Sequence, residues 1–68
     1  MKNTELENKI KETVKNFNIQ YNTSFEFVTY FQEENDCLEF VFKAIESGYT
    51  LRINADAKTS EIFHTEIE

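Results

Sequence analysis

Leu6, Ile10, Val14 and Phe17 recur at intervals of four, four and three, which places all four on one face of a helix. Thr4 followed by Glu7 has the spacing of a capping box, in which hydroxyl and carboxylate satisfy each other's backbone amides. Glu5–Lys9 and Glu7–Lys11 are acid-before-base pairs one helical turn apart. The pattern predicts a helix over about residues 5–17, ended by the poor helix formers Asn16 and Asn18. From Ser24 the period drops to two and β-favouring residues take over. Phe25, Phe27, Thr29 and Phe31 alternate with Glu26, Val28, Tyr30 and Gln32, which predicts a first strand. Leu38, Phe40, Phe42 and Ala44 alternate with Glu39, Val41, Lys43 and Ile45 in a second, after the polar break Glu33-Glu34-Asn35-Asp36. A third strand follows Ser47-Gly48, with Tyr49, Leu51 and Ile53 on one face. A fourth runs from Thr59 to Ile67, where Phe63/Thr65/Ile67 and Ile62/His64/Glu66 compete for the inner side.

One helix and four short-linked strands predict an α+β fold, with an N-terminal helix packed on a four-stranded antiparallel β-meander and a single domain spanning residues 1–68. The helical stripe needs an apolar partner, and the strand face bearing Phe25, Phe27, Phe31, Phe40 and Phe42 is the one large enough. The opposite face is then expected to carry Val28, Tyr30, Val41 and Ile45 among Glu26, Glu39, Lys43 and Arg52. A solvated sheet face is normally more uniformly polar. Those four apolar residues are therefore the expected interface of a homodimer.

Chain length adds a reason to expect association. A chain of 68 residues supplies a core of only about 3–5 kcal/mol and usually needs a staple or a partner. The lone Cys37 cannot form an intramolecular disulfide, and no spacing of metal ligands or cofactor motif occurs, so no cofactor and no metal are expected. An unpaired thiol and the polar start Met-Lys-Asn-Thr-Glu predict a cytoplasmic address, with no membrane partner.

Catalysis lacks its usual parts. His64 is the sole histidine and has no Ser, Cys or Asp at a telling spacing. Carboxylates beside Cys37 raise a thiol pKa, the wrong direction for a nucleophile. The single glycine excludes a glycine-rich phosphate loop, and the acidic turn lacks a calcium-loop pattern. The chain is expected not to be an enzyme.

Charge is more informative. The formal net charge is −6, but residues 1–20 hold Lys2, Lys9, Lys11 and Lys15 against three glutamates, while residues 21–68 hold three bases against ten acids. In a meander the first and third connections share an end, which predicts that Glu33, Glu34 and Asp36 lie near Asp56, with Glu39 and Glu61 close behind. Such a field attracts basic surfaces and repels nucleic acid. The expected partner is a basic protein, with no direct binding to nucleic acid.

In size, charge and layout the chain resembles the small acidic proteins that phages make as DNA mimics against host nucleic-acid-binding proteins. Inhibitors of HU-type nucleoid proteins are nearest in kind. The stretches Glu33-Glu34-Asn35-Asp36-Cys37-Leu38-Glu39 and Glu61-Ile62-Phe63-His64-Thr65-Glu66-Ile67-Glu68 carry the resemblance. It implies a phage protein in the host cytoplasm whose carboxylates stand in for phosphates on the DNA-binding face of a host protein. Locally, Tyr49-Thr50-Leu51-Arg52-Ile53-Asn54-Ala55-Asp56-Ala57-Lys58-Thr59-Ser60-Glu61-Ile62 is similar to the last hairpin of PepSY-type domains, with Ser60 where those have glycine. That likeness implies the same helix-plus-sheet fold; the alternative function is a small interaction or assembly module, PepSY-like in layout, that uses the apolar outer sheet face and is acidic only for solubility.

Overall fold

The computed structural model describes residues 3–68; Lys2, counted above with the helix charges, lies outside them. One helix, α1 (Thr4–Tyr21), precedes four strands: β1 (Glu26–Gln32), β2 (Cys37–Lys43), β3 (Thr50–Asp56) and β4 (Glu61–Ile67). The strands form one antiparallel sheet in the order β1-β2-β3-β4, with the helix on one face. The expected α+β meander is the observed fold.

The helix is longer than its pattern suggested, and its cap lies one residue earlier. Asn3, not Thr4, is the N-cap: its Oδ1 accepts from the Leu6 amide at 3.0 Å. Thr4 is already helical, so the Thr4–Glu7 box does not form. Asn3 wins because its amide also reaches the β3–β4 turn, donating to Ala57 O (3.2 Å) and Ser60 Oγ (2.8 Å). At the other end the helix runs through Asn16 and Asn18. Tyr21 stacks on Phe17 and meets Tyr49 edge-on, with ring centroids 6.0 and 5.4 Å apart, and this packing outweighs weak local propensity. Termination comes at Asn22 in the left-handed region (φ 50°). The Thr23 and Asn22 amides close onto Asn18 O and Ile19 O in a Schellman arrangement. Asn18 then accepts from the Phe25 amide (2.7 Å), steering the chain into the sheet.

The core lies between α1 and the sheet. Leu6 and Ile10 from the helix meet Leu51, Ile53 and Ala55 of β3, all three with no exposed surface, together with Phe42 of β2. The turns are built by residues that accept positive φ. Asn35 (φ 60°) and Asp36 (φ 59°) occupy the two central positions of a hairpin turn closed by Cys37 N–H donating to Glu34 O. This is the twist-matched type I′ geometry. Gly48 (φ 78°) closes the β2–β3 connection by donating to Ala44 O.

Both edge strands contain a bulge, and the bulges change which residues face inward. In β1 the pairing jumps from Phe27↔Phe42 to Thr29↔Val41, leaving Val28 as the extra residue. Strict alternation is broken there: Tyr30 pairs with Phe40 and turns to the helix side, whereas Phe31 pairs with Glu39 and turns outward. The expected faces of these two aromatics are thus exchanged. In β4 the pairing jumps between His64 and Ile62, so Phe63 is extra. Neither proposed alternation holds throughout. Ile62 and Ile67 both pack against the core while Phe63 is exposed.

Candidate protein-binding surface

The outer face of the sheet can be read as cross-strand rows. Glu26, Lys43 and Thr50 form the first, with Glu68 tied to Thr50 by paired backbone hydrogen bonds. Thr29, Val41, Arg52 and Glu66 form the second; Phe31, Glu39, Asn54 and His64 the third. Cys37, Asp56 and Glu61 form the last. Beside that last row the β1–β2 turn meets the β3–β4 turn, where Ala57 N–H donates to Asp36 O at 2.8 Å. The two rows at this end, with the adjoining turn, hold Glu33, Glu34, Asp36, Glu39, Asp56 and Glu61. Lys58 is the nearest base in sequence. Paired positions in such a sheet are about 5 Å apart and same-face positions along a strand about 6.8 Å. Glu39, Asp56 and Glu61 therefore stand at set spacings on the sheet, with Glu33, Glu34 and Asp36 on the adjoining turn.

They are not equivalent. Glu33, Glu34, Asp36 and Glu61 are exposed. Glu39 is half-buried and lies 3.7 Å from the Arg52 guanidinium, which also holds Glu68 at 3.2 Å. The bond to Glu68 and its charge push the Arg52 pKa further up, so this side chain stays cationic. Asp56 spends one oxygen on its own turn, accepting from the amides of Lys58 (2.7 Å) and Thr59 (3.2 Å). Cys37 stands among these acids, its thiol 3.8 Å from Glu33. Burial first, and then Glu33, Asp56 and Glu39, push the thiol pKa above its ordinary value. His64 lies 3.6 Å from Glu66 and near no nucleophile-bearing row partner. Glu26, Glu66 and Glu68 extend the acidic face toward the other end. The i,i+2 spacing of Glu66 and Glu68, the latter just past the end of β4 and paired with Thr50, is the signal for the last two.

The four residues expected to form an apolar outer patch are not gathered there. Val28 sits exposed at the bulge, Tyr30 faces the helix side, and Ile45 is exposed in the β2–β3 connection. Val41 is on the outer face but only 7% exposed, flanked by Thr29 and Arg52. The physical reason is the bulge, which exchanges the faces within β1, and the end of β2 at Lys43, which leaves Ile45 outside the sheet.

Among the described residues, no group of three or more His, Cys, Asp and Glu is placed to hold a metal ion, and no helix is long and apolar enough to cross a membrane. No family model, curated protein or solved structure matches the chain.

Proposed function

We propose that this chain is a non-enzymatic acidic binding protein, a phage DNA mimic that occupies the basic DNA-binding surface of a host protein such as an HU-type nucleoid protein. The observation that carries the reading is the convergence of six carboxylates, drawn from the β1–β2 turn and three strands, at one end of the sheet. Lys9, Lys11 and Lys15 sit on α1, in the other layer. A surface with a net excess of negative charge attracts a basic groove over distance and speeds encounter. The place of action is the bacterial cytoplasm. Two copies associating would double the acidic field, and the exposed Val28 and Phe31 of β1 are available for that contact.

The test is direct competition. Labelled duplex DNA is bound to a purified HU-type protein at low salt, and this protein is titrated in. Release of the DNA is expected, weakening steeply as ionic strength rises, since exposed charges separated by more than about 8–10 Å are screened at physiological salt. Absence of release at every ratio at low salt, or a mobility shift of DNA by this protein alone, would overturn the reading.

A further inference from the structure

A four-stranded sheet spans about 14 Å between its outer strand axes, and a helix with its side chains is about 10 Å across. One helix therefore cannot cover the sheet. Here α1 lies toward β4: Asn3 bonds Ser60 and Ala57, and Lys9 Nζ donates to Ser60 O at 2.9 Å. The inner face is left less covered along β1, whereas Phe42 of β2 stays buried. Phe27 and Tyr30 are each 56% exposed there although they face the helix layer, the first edge-on to Phe42 and the second stacked on Phe40. Between them and α1 runs a cleft of about 980 Å³, lined on one wall by Leu6, Ile10 and Val14 and on the other by Phe27, Tyr30 and Phe40. It follows α1 from Asn3 to Asn18, a length of about 22 Å at 1.5 Å per residue.

We propose that this cleft is a docking site for an amphipathic helix of a partner protein carrying acidic residues along one flank. The cleft is long enough for about four turns of helix. Lys11 and Lys15 stand on the α1 rim, with Glu7 3.9 Å from Lys11, whereas Tyr30 and Gln32 line the opposite side. The rim thus has a net positive charge on one side alone, which complements an acidic flank. Other occupants fit less well. Strand addition at the β1 edge is interrupted by the Val28 bulge. The α1 of a second copy has no apolar stripe to offer: among the described residues, Ile19 is the single large apolar side chain exposed on it. A small ligand would keep much of its surface wet in a cleft open along its length, whereas small-molecule sites bury about 70–90% of theirs. This site is on the opposite side of the sheet from the acidic rows and does not rest on the mimic reading.

The probe is a displayed library of helical peptides of about 16 residues, a length of ~24 Å, selected on the wild-type protein. Enriched peptides are expected to carry apolar residues at i, i+3/i+4 and i+7 with Asp or Glu on one flank. They should bind Tyr30→Glu at least about tenfold more weakly, as expected when a central aromatic anchor is lost. The surface pair Lys11→Glu and Lys15→Glu, which leaves the core untouched, should reverse the flank preference from acidic to basic. Far-UV circular dichroism checks that each variant is folded. No enrichment, enriched peptides of alternating apolar pattern, or equal binding to wild type and folded Tyr30→Glu would overturn the proposal. Two other results would also overturn it by naming a different occupant: a self-associating wild type made monomeric by Tyr30→Glu, or saturable binding of dodecanoate where peptides fail.

Discussion

Asn3 and Ser60, 57 positions apart, face each other through two contacts: Asn3 Nδ2 to Ser60 Oγ at 2.8 Å, and Ser60 Oγ to Asn3 Oδ1 at 3.1 Å. The same Asn3 oxygen caps the helix at the Leu6 amide. Helix initiation is thereby linked to the β3–β4 turn, and Ser60, buried and held at φ 63°, is the residue that links them.

Asn3→Ala should therefore cost more than an isolated cap. Cap removal alone costs about 0.5–2 kcal/mol, and the lost bonds to the turn add to it, so an effect at or above ~2 kcal/mol is expected in urea unfolding. Asn3→Asp keeps the cap acceptor and should recover about half of the loss. An Asn3→Ala midpoint equal to wild type would show that the link contributes nothing.

Asp36→Gly should stabilise the protein. Asn35 and Asp36 both sit at positive φ, and a left-handed conformation costs a non-glycine residue roughly 1–2 kcal/mol, less for Asn and Asp. An Asn-Gly pair is the favoured type I′ sequence, so a gain of about 0.5 kcal/mol is expected, read as a higher urea midpoint. Because one exposed carboxylate contributes about 0–1 kcal/mol to an interaction, competition with DNA should change little in the same variant.

Clustered reversal should behave differently. Glu33→Lys, Glu34→Lys and Asp36→Lys together replace three exposed negative charges in one turn with positive ones. Like charges facing each other at an interface cost several kcal/mol, so the triple variant should remain folded and lose competition with DNA. The distal pair Glu26→Lys and Glu46→Lys, toward the far end of the sheet, is the control for a clustered change of charge and should compete nearly as wild type does. Wild-type competition by a folded triple variant would move the site away from this turn.

Cys37 should be slow to alkylate. The thiolate is the reactive form, and burial with Glu33, Asp56 and Glu39 shifts its formation to higher pH. Iodoacetamide rates between pH 7 and 9 should lie below those of a free cysteine, and Glu33→Gln should raise them. The folded state holds this proton more tightly than the unfolded chain. Its contribution to stability is thus complete below the unfolded thiol pKa and is lost as pH rises through the folded value. A rate matching free cysteine across that range would contradict the assignment.

The apolar spacing of Leu6, Ile10 and Val14 and the change of period at Ser24 were enough to place one helix, four strands and the meander, because those periods are set by local backbone geometry. The acidic end was legible for a related reason. Once the strands run antiparallel in sequence order, alternate connections must share an end, whatever the details of packing. The inner and outer faces of the edge strands were not legible. One extra residue, Val28 or Phe63, reverses every later side chain in its strand, and a bulge leaves no mark in an alternating sequence. Where α1 lies across the sheet was likewise decided by contacts of long sequence separation, Asn3 and Lys9 to Ser60. That placement opens the cleft beside Tyr30, and no local pattern encodes it, because its free energy comes from groups that meet only after the chain has folded.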